Sequence, residues 1–496
     1  LLSKEFSMLV RPEPSQEAAP IWFVTKETWP KIRASLPGLA QAFANVCGFE
    51  PTPGRAQIFP GPGGEIAGVL FGIEGTESRA RDLLLPGQMA TSLPPGLYRF
   101  ANPPHDAALA ALSWILSGYR FHRYKSINGD APRLCVPDGV DAARVERIAR
   151  GVILGRDLIN TPANDMDPEA LEAAVLTLAA QHQAEAEVTR GAALLDANLP
   201  LIHAVGRAAE KEPRLVDFRF GAETAPKVTL VGKGVCFDSG GLDIKPDAAM
   251  SLMKKDMGGA ATALALAAMI MEAGLAIRLR VLIPIVENAI SGNAFRPGDI
   301  YESHKGLTVE IGNTDAEGRL ILADALALAD EEAPELLIDF ATLTGAARVA
   351  LGPDLPPFYT MDEALAADIA NFGAATEDPV WRLPLWDPYD KLLDGKLADL
   401  NNISGGPFAG SITAALFLRR FVERTKSWAH FDIYAWTPKA KPGRPEGAEV
   451  QAARLLYALL EARYGAQVLA KRGKKPPLRT GAARKIDPAK LETSVK

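Results

Sequence analysis

Along most of this chain, short apolar runs alternate with longer stretches in which apolar residues recur at helical spacing. In the first part, 21–25, 57–59 and 68–73 read as strands, and 106–116 reads as a helix running into Gly118. Turn-rich joints at 51–54, 60–64 and 94–96 separate them. A longer helical pattern runs from about 141 to 160, with Val145, Ile148, Val152, Leu158 and Ile159 among its apolar positions. It stops at Asn160-Thr161-Pro162, because proline disfavours helical geometry in the residue before it. Asp167-Pro168-Glu169 then caps and starts a helix through Ala180. Strands are expected at 215–220, 228–231, 279–286, 307–311, 336–340 and 429–433, and helices at 258–273, 318–330 and 411–422. The 279–286 run is apolar at nearly every position, as a strand covered on both faces must be.

This alternation predicts an α/β protein, and 496 residues exceed one ordinary core. The expected organisation is a smaller N-terminal α/β domain at 1–137, a connecting helix at 138–162, and a larger domain at 163–465. The larger domain should hold a mostly parallel central sheet covered by helices, with its site in loops beyond the strand ends. Residues 466–496 hold nine Lys or Arg against Asp487 and Glu492 and read as a basic, flexible tail.

Composition narrows the class. Hydrophobic residues are 48% and charged residues 23%, which excludes a disordered or fibrous chain. A net charge of −6 argues against a whole-molecule match to nucleic acid. Cys47, Cys135 and Cys236 make no disulfide framework and no metal-spacing motif, so a reducing, cytoplasmic location is expected. No uncharged apolar run of about 18 residues suggests a membrane span. Residues 1–10 carry Lys4 and Glu5 and are not expected to be a secretory signal.

Three glycine-rich segments at strand ends concentrate the chemistry: Val231–Pro246 with Lys233, Asp238 and Lys245, Met253–Ala261 with Asp256, and Gly312–Leu320 with Asp315, Glu317 and Arg319. Four carboxylates that converge cannot all stay ionised without a cation, and oxygen ligands suit hard or borderline divalent metals. Lys233 could add a neutral amine if a metal depressed its pKa. None of the six histidines falls in these segments. Taken singly, Asp256 and Asp315 read more readily as helix N-caps than as site residues, and Lys245 and Arg319 as surface residues.

Asn313-Thr-Asp-Ala-Glu-Gly-Arg-Leu320 resembles the signature octapeptide of the leucine aminopeptidase family, the cytosolic two-metal aminopeptidases. Gly232-Lys-Gly, Phe237-Asp-Ser-Gly-Gly, Ile244-Lys245, Lys255-Asp-Met-Gly-Gly-Ala, Arg156–Met166 and Ala341-Thr-Leu-Thr-Gly345 are similar to further segments of that family, across about 140–462. Residues 1–137 fit only as its variable N-terminal domain. The resemblance implies two divalent metals, Mn²⁺ or Zn²⁺ with Mg²⁺ as a further candidate. They would be held by Lys233, Asp238, Asp256, Asp315 and Glu317, with Asp238 and Glu317 bridging. It implies that Lys245 polarises the scissile carbonyl and that Arg319 holds bicarbonate as general base. Met253, Asn313, Thr342, Leu343 and Gly345 fall on the substrate side. It further implies short peptide substrates and a homo-hexamer built as a dimer of trimers.

Two features depart from the family pattern: bulky Tyr434 and Trp436 after the last strand, and the Lys441–Glu446 run, which could rebuild a pocket wall. His430, Asp432, Trp428 and Trp436 read as buried structural residues, and Cys236 as a small strand residue rather than a nucleophile. Two other readings compete. A two-metal phosphoesterase would usually bring histidines. A catalytically silent scaffold or nucleic-acid binder would work through the basic tail.

Overall fold

The computed structural model describes residues 9–11, 17–78, 81–126 and 129–465. The basic stretch at 466–496 lies outside them. Two sheets organise the chain. The smaller has six strands in the order Leu9–Val10, Pro132–Cys135, Gly96–Phe100, Ala19–Val24, Ile66–Gly72 and Ala56–Pro60, parallel except for the last. The larger has nine strands, eight in the order Trp381–Arg382, Pro357–Tyr359, Trp428–Asp432, Leu336–Ala341, Lys227–Gly232, Arg278–Asn288, Arg214–Phe220 and Glu185–Arg190, with the ninth, Gly234–Asp238, also paired with Arg278–Asn288. Its inner strands are parallel, while Arg214–Phe220, Glu185–Arg190 and the Pro357–Tyr359 pairing are antiparallel. The structure is thus a two-domain α/β fold with a mostly parallel sheet in the larger part.

Strand alternation divides the core. Leu336, Ile338 and Phe340 point into one apolar layer and Leu337 and Ala341 into the other. The first layer packs against helices Ala142–Asn160, Gly258–Ala273 and Ala453–Tyr464, the second against Pro200–Gly206, Gly318–Asp330 and Gly410–Arg419. Ala142–Asn160 joins the two sheets' cores. Its Asp141 cap accepts from Arg144 N at 3.1 Å, and Asp167 caps Pro168–Gln181 by accepting from Ala170 N at 2.8 Å. Met253–Ala273 has the length and apolarity of a membrane span, but it is mostly buried as the core helix against the sheet.

Most expected elements appear within a residue or two. Helix 411–422 is shorter, at Gly410–Arg419. The Asp330 carboxylate accepts from the amides of Glu423, Arg424 and Thr425 and holds that stretch in a turn instead. Strands Glu185–Arg190, Gly96–Phe100 and Pro132–Cys135 and helices Glu363–Ala375 and Ala453–Tyr464 were not expected from the pattern.

Candidate metal centre

Strands Lys227–Gly232, Arg278–Asn288, Leu336–Ala341 and Trp428–Asp432 run the same way, so their carboxyl ends share one edge of the sheet. Lys233 follows the first of them directly. Its Nζ lies 2.7 Å from Asp256 Oδ2 and 2.9 Å from Glu317 Oε1, and it donates to the Thr342 carbonyl at 3.0 Å. Lys245 Nζ lies 2.7 Å from Asp238 Oδ2 and also pairs with Asp315 Oδ1. Oxygens of Asp238, Asp315 and Glu317 all fall within 4.8 Å of one another. Tight approach needs glycine here. A Cβ on Gly318 would stand 2.6 Å from Lys233 Cε, and one on Gly259 would stand 2.2 Å from the Phe340 carbonyl oxygen.

The capping and surface alternatives do not hold. Met257, without a side-chain bond, precedes Gly258–Ala273, and Glu317, likewise without one, precedes Gly318–Asp330. Asp256 and Asp315 therefore spend their oxygens on the cluster. Lys245 is only 12% exposed at its side chain, and Arg319 is buried.

Charge inside the cluster is poorly settled. Burial, together with the neighbouring Asp238 charge, pushes Glu317 up to about 8 and Asp315 up to about 6. Burial opposes the charge on Lys233, but Asp256, Glu317 and Asp238 outweigh it and hold the ammonium above its ordinary value. Metal-free Lys233 is therefore a counter-ion, and it can become a neutral ligand only when a cation takes over that role. Burial lowers Lys255 to about 7 and Arg319 to about 10.

The donor set fits divalent cations. Glu317 Oε2 is buried with no partner, and Asp256 Oδ2 and Asp315 Oδ1 meet lysines as ion pairs without hydrogen-bond geometry. Arg319 donates through Nη1 to the Asn402 carbonyl at 2.7 Å, while its buried Nε has no hydrogen-bond partner among the described residues. The cluster borders a cavity of about 290 Å³ whose walls include Met253, Asn313, Thr342, Leu343 and Gly345. Asn313 Oδ1 accepts from Asp315 N at 2.6 Å, so its visible task is to shape the loop. Thr342 Oγ1 donates to Asp256 Oδ1 at 2.7 Å, and Leu343 N donates to Asp432 Oδ1 at 3.1 Å.

Several supporting residues escaped the sequence reading. Asn288, at the end of its strand, donates to Asp238 Oδ1 at 2.8 Å and to the Thr314 carbonyl at 3.0 Å. Asn402 accepts from Gly312 N and donates to the Asn313 carbonyl, both at 2.7 Å, besides receiving Arg319. The only local hint was its place in a polar, glycine-rich run, Asn401-Asn-Ile-Ser-Gly-Gly406. Asp432 braces the 342–348 loop, accepting from Leu343 N, Thr344 N, Thr344 Oγ1 and Arg348. His430 pairs instead with Asp339, which also accepts from Trp428 Nε1, so His430 and Asp432 form no dyad. Cys236 is a buried strand residue in the core. Of the two departures, Tyr434 stands beside the cavity residues Lys255 and Arg348. The 441–446 run does not rebuild the cavity wall. Gly443 is drawn away by Ser117 Oγ and Arg156, and Lys441, Pro442 and Pro445 face Gln88, Thr91 and Arg120 of the N-terminal domain.

Comparison with known proteins agrees with this geometry. Residues 153–457 match the catalytic domain of the cytosol aminopeptidase family, and 20–137 match the M17 aminopeptidase N-terminal domain. A probable cytosol aminopeptidase of Chlorobaculum tepidum is 39% identical over 382 residues, covering 72% of this chain and 76% of that protein. One from Roseiflexus castenholzii is 41% identical, covering 72% and 77%. The crystal structure of cytosol aminopeptidase from Coxiella burnetii superposes with a TM-score of 0.87 at 43% identity, over 92% of this chain and 99% of that one. The bottromycin maturation enzyme BotP in complex with Mn gives 0.80 at 31% identity, over 90% and 99%.

Proposed function

The chain belongs to the cytosol aminopeptidase family and is a peptide hydrolase, and from that premise we propose that it removes the N-terminal residue of short peptides at the Asp238, Asp256, Asp315 and Glu317 cluster. The observation that carries this reading is the convergence of Asp238, Asp315 and Glu317 oxygens within 4.8 Å of one another, with Glu317 Oε2 left unpartnered among the described residues. Lys233, Asp238, Asp256, Asp315 and Glu317 would hold two divalent ions, shared through Asp238 and Glu317, with the Asp315 carbonyl as a further ligand. Mn²⁺ leads, since BotP is described with Mn, ahead of Zn²⁺ and Mg²⁺. Such a pair supplies an acidified water and Lewis acidity at the scissile carbonyl.

The chain's own groups do the rest. A free α-amine docked beside Asp256 would set the register, so that only the first residue is released. Lys245 Nζ would place positive charge in advance where the oxyanion develops. Arg319 would hold bicarbonate with its free Nε edge, placing a base next to the attacking water. Met253, Thr342 and Gly345 would line the side-chain subsite, Leu343 would offer main-chain contact, and Asn313 would set the Asp315 loop. The domain limits we propose are 1–137, 138–162 and 163–465, a division supported by the last small-sheet strand at Pro132–Cys135 and the helix Ala142–Asn160. The family resemblance suggests a homo-hexamer of two trimers working in the cytosol, in which exposed apolar side chains such as Phe408, Leu397 and Val349 would be buried between copies. Light scattering should give six times 53.0 kDa, and a monomer mass would remove that part.

The direct test is release of p-nitroaniline from aminoacyl-p-nitroanilides. Wild type should act with Mn²⁺, lose activity to a chelator and regain it on readdition, while Asp315→Ala should stay inactive. Absence of turnover with any metal would overturn the reading.

A further inference from the structure

The cavity holds a buried cation that the catalytic scheme does not use. Lys255 lies in the turn Met253–Met257, between Met253 of the side-chain subsite and Asp256 beside the expected α-amine. It is 3% exposed, and among the described residues its Nζ forms no hydrogen bond and no ion pair. What it does meet is an aromatic face, the Tyr434 ring, 4.8 Å from Nζ to centroid. The Arg348 guanidinium lies 5.4 Å from the same ring. Arg348 is three residues past Gly345 in helix Gly345–Leu351, so it shares a face with that subsite residue. It pairs with Asp432 at 3.1 Å.

An aromatic ring attracts a cation but does not neutralise it. The nearby carboxylates are already spent. Asp256 faces Lys233 and Thr342, and Asp432 holds Arg348 and the Leu343–Thr344 amides. A desolvated ammonium with no anion is costly, and that cost is recovered when an anionic ligand enters. A carboxylate on a short side chain, beginning from an amine beside Asp256, meets Lys255 first.

Resting on the aminopeptidase reading of this cavity, we propose that its side-chain subsite selects an acidic N-terminal residue, glutamate or aspartate, whose carboxylate pairs with Lys255 Nζ within reach of Arg348.

Glutamyl- and glutaminyl-p-nitroanilide differ in charge but hardly in shape, so their kcat/KM ratio isolates the interaction. With Mn²⁺-loaded wild type the ratio should favour glutamate by about 10- to 100-fold, the range of a charge-assisted hydrogen bond. Lys255→Met should bring the ratio to about one or below, Arg348→Met should lower it less, and Lys255→Arg should largely keep it. Calorimetric binding of free L-glutamate against L-glutamine to the loaded protein should follow the same order. Wild type that prefers leucyl or glutaminyl substrates, or a ratio untouched by Lys255→Met, overturns the proposal while leaving the aminopeptidase reading intact. Failure to hydrolyse any substrate overturns both.

Discussion

The helix Gly318–Asp330 carries buried charge along its length, and its two ends handle that charge differently. At the start, Glu317 Oε2 and Arg319 Nε have no hydrogen-bond partners among the described residues. Further along, Asp324 receives the amides of Leu201, Ile202 and His304, and Asp330 receives those of Glu423, Arg424 and Thr425. Burial is common to both regions. What differs is satisfaction: backbone donors complete one set of carboxylates, and the other is complete only with something the chain does not supply. Buried charge without donors therefore marks a ligand site, whereas buried charge saturated with amides marks a structural lock.

The sharpest way to break this contrast is to neutralise each end. Glu317→Gln should lower kcat/KM by about 10³-fold or more and reduce metal bound per chain, measured by anilide hydrolysis and elemental analysis. Asn402→Ala should leave metal content in place but cost roughly 10- to 100-fold in kcat, because the Gly312–Asn313 loop loses its anchor on the Asn402 side chain, although the main-chain carbonyl that receives Arg319 stays. Metal affinity should rise with pH by about tenfold per unit for each proton displaced, since Glu317 sits up near 8 and Lys233 is held protonated in the metal-free chain. Competition with a chelator of known affinity between pH 6 and 8 reads this directly, and a flat profile would count against those protonated groups being ligands.

At the other end, Asp330→Asn should cost about 1–3 kcal/mol in chemical denaturation with hydrolysis retained. Its amide donors hold Asp330 below its ordinary value despite burial. Its contribution is therefore full above pH 3.8 and lost as pH falls through the depressed folded value. Asp324 has the opposite sign. Burial outweighs its donors and raises it to about 7 from 3.8, so its contribution is full below pH 3.8 and lost as pH rises to about 7. Comparing wild type with Asp324→Asn from pH 4 to 8 should remove a decline of at most about 1.4 kcal/mol per pH unit.

Much of the fold was legible because it is written locally. Helices Gly258–Ala273 and Gly318–Asp330 begin and end where apolar pattern and glycines placed them, and Asp167 caps as read. Elements that broke the simple pattern escaped. Glu185–Arg190 is a polar edge strand with no fully buried residue, and Ala453–Tyr464 is buried almost all round and shows little periodicity. The same division runs through the site. Lys233, Asp238, Asp256, Asp315, Glu317 and Arg319 stand in three compact segments, and the spacing within each segment is visible in the chain itself.

By itself, then, the sequence determined which residue types carry the chemistry and which loops hold them, because those are properties of a few consecutive residues. Only the tertiary structure decided that Asp256 and Asp315 are not caps, that Lys245 and Arg319 are inside, and that Tyr434 rather than the 441–446 run stands near the subsite. It also brought in Asn288, Asn402 and Asp432, whose hydrogen bonds to the site join residues 26 to 90 positions apart. The contacts of Asn288 and Asp432 exist because parallel strands bring their carboxyl ends to one edge of a shared sheet. Asn402 arrives beside it from Leu400–Asn401, paired with Thr308–Glu310 in a separate small sheet. That convergence depends on strand order, which is not encoded in any local segment.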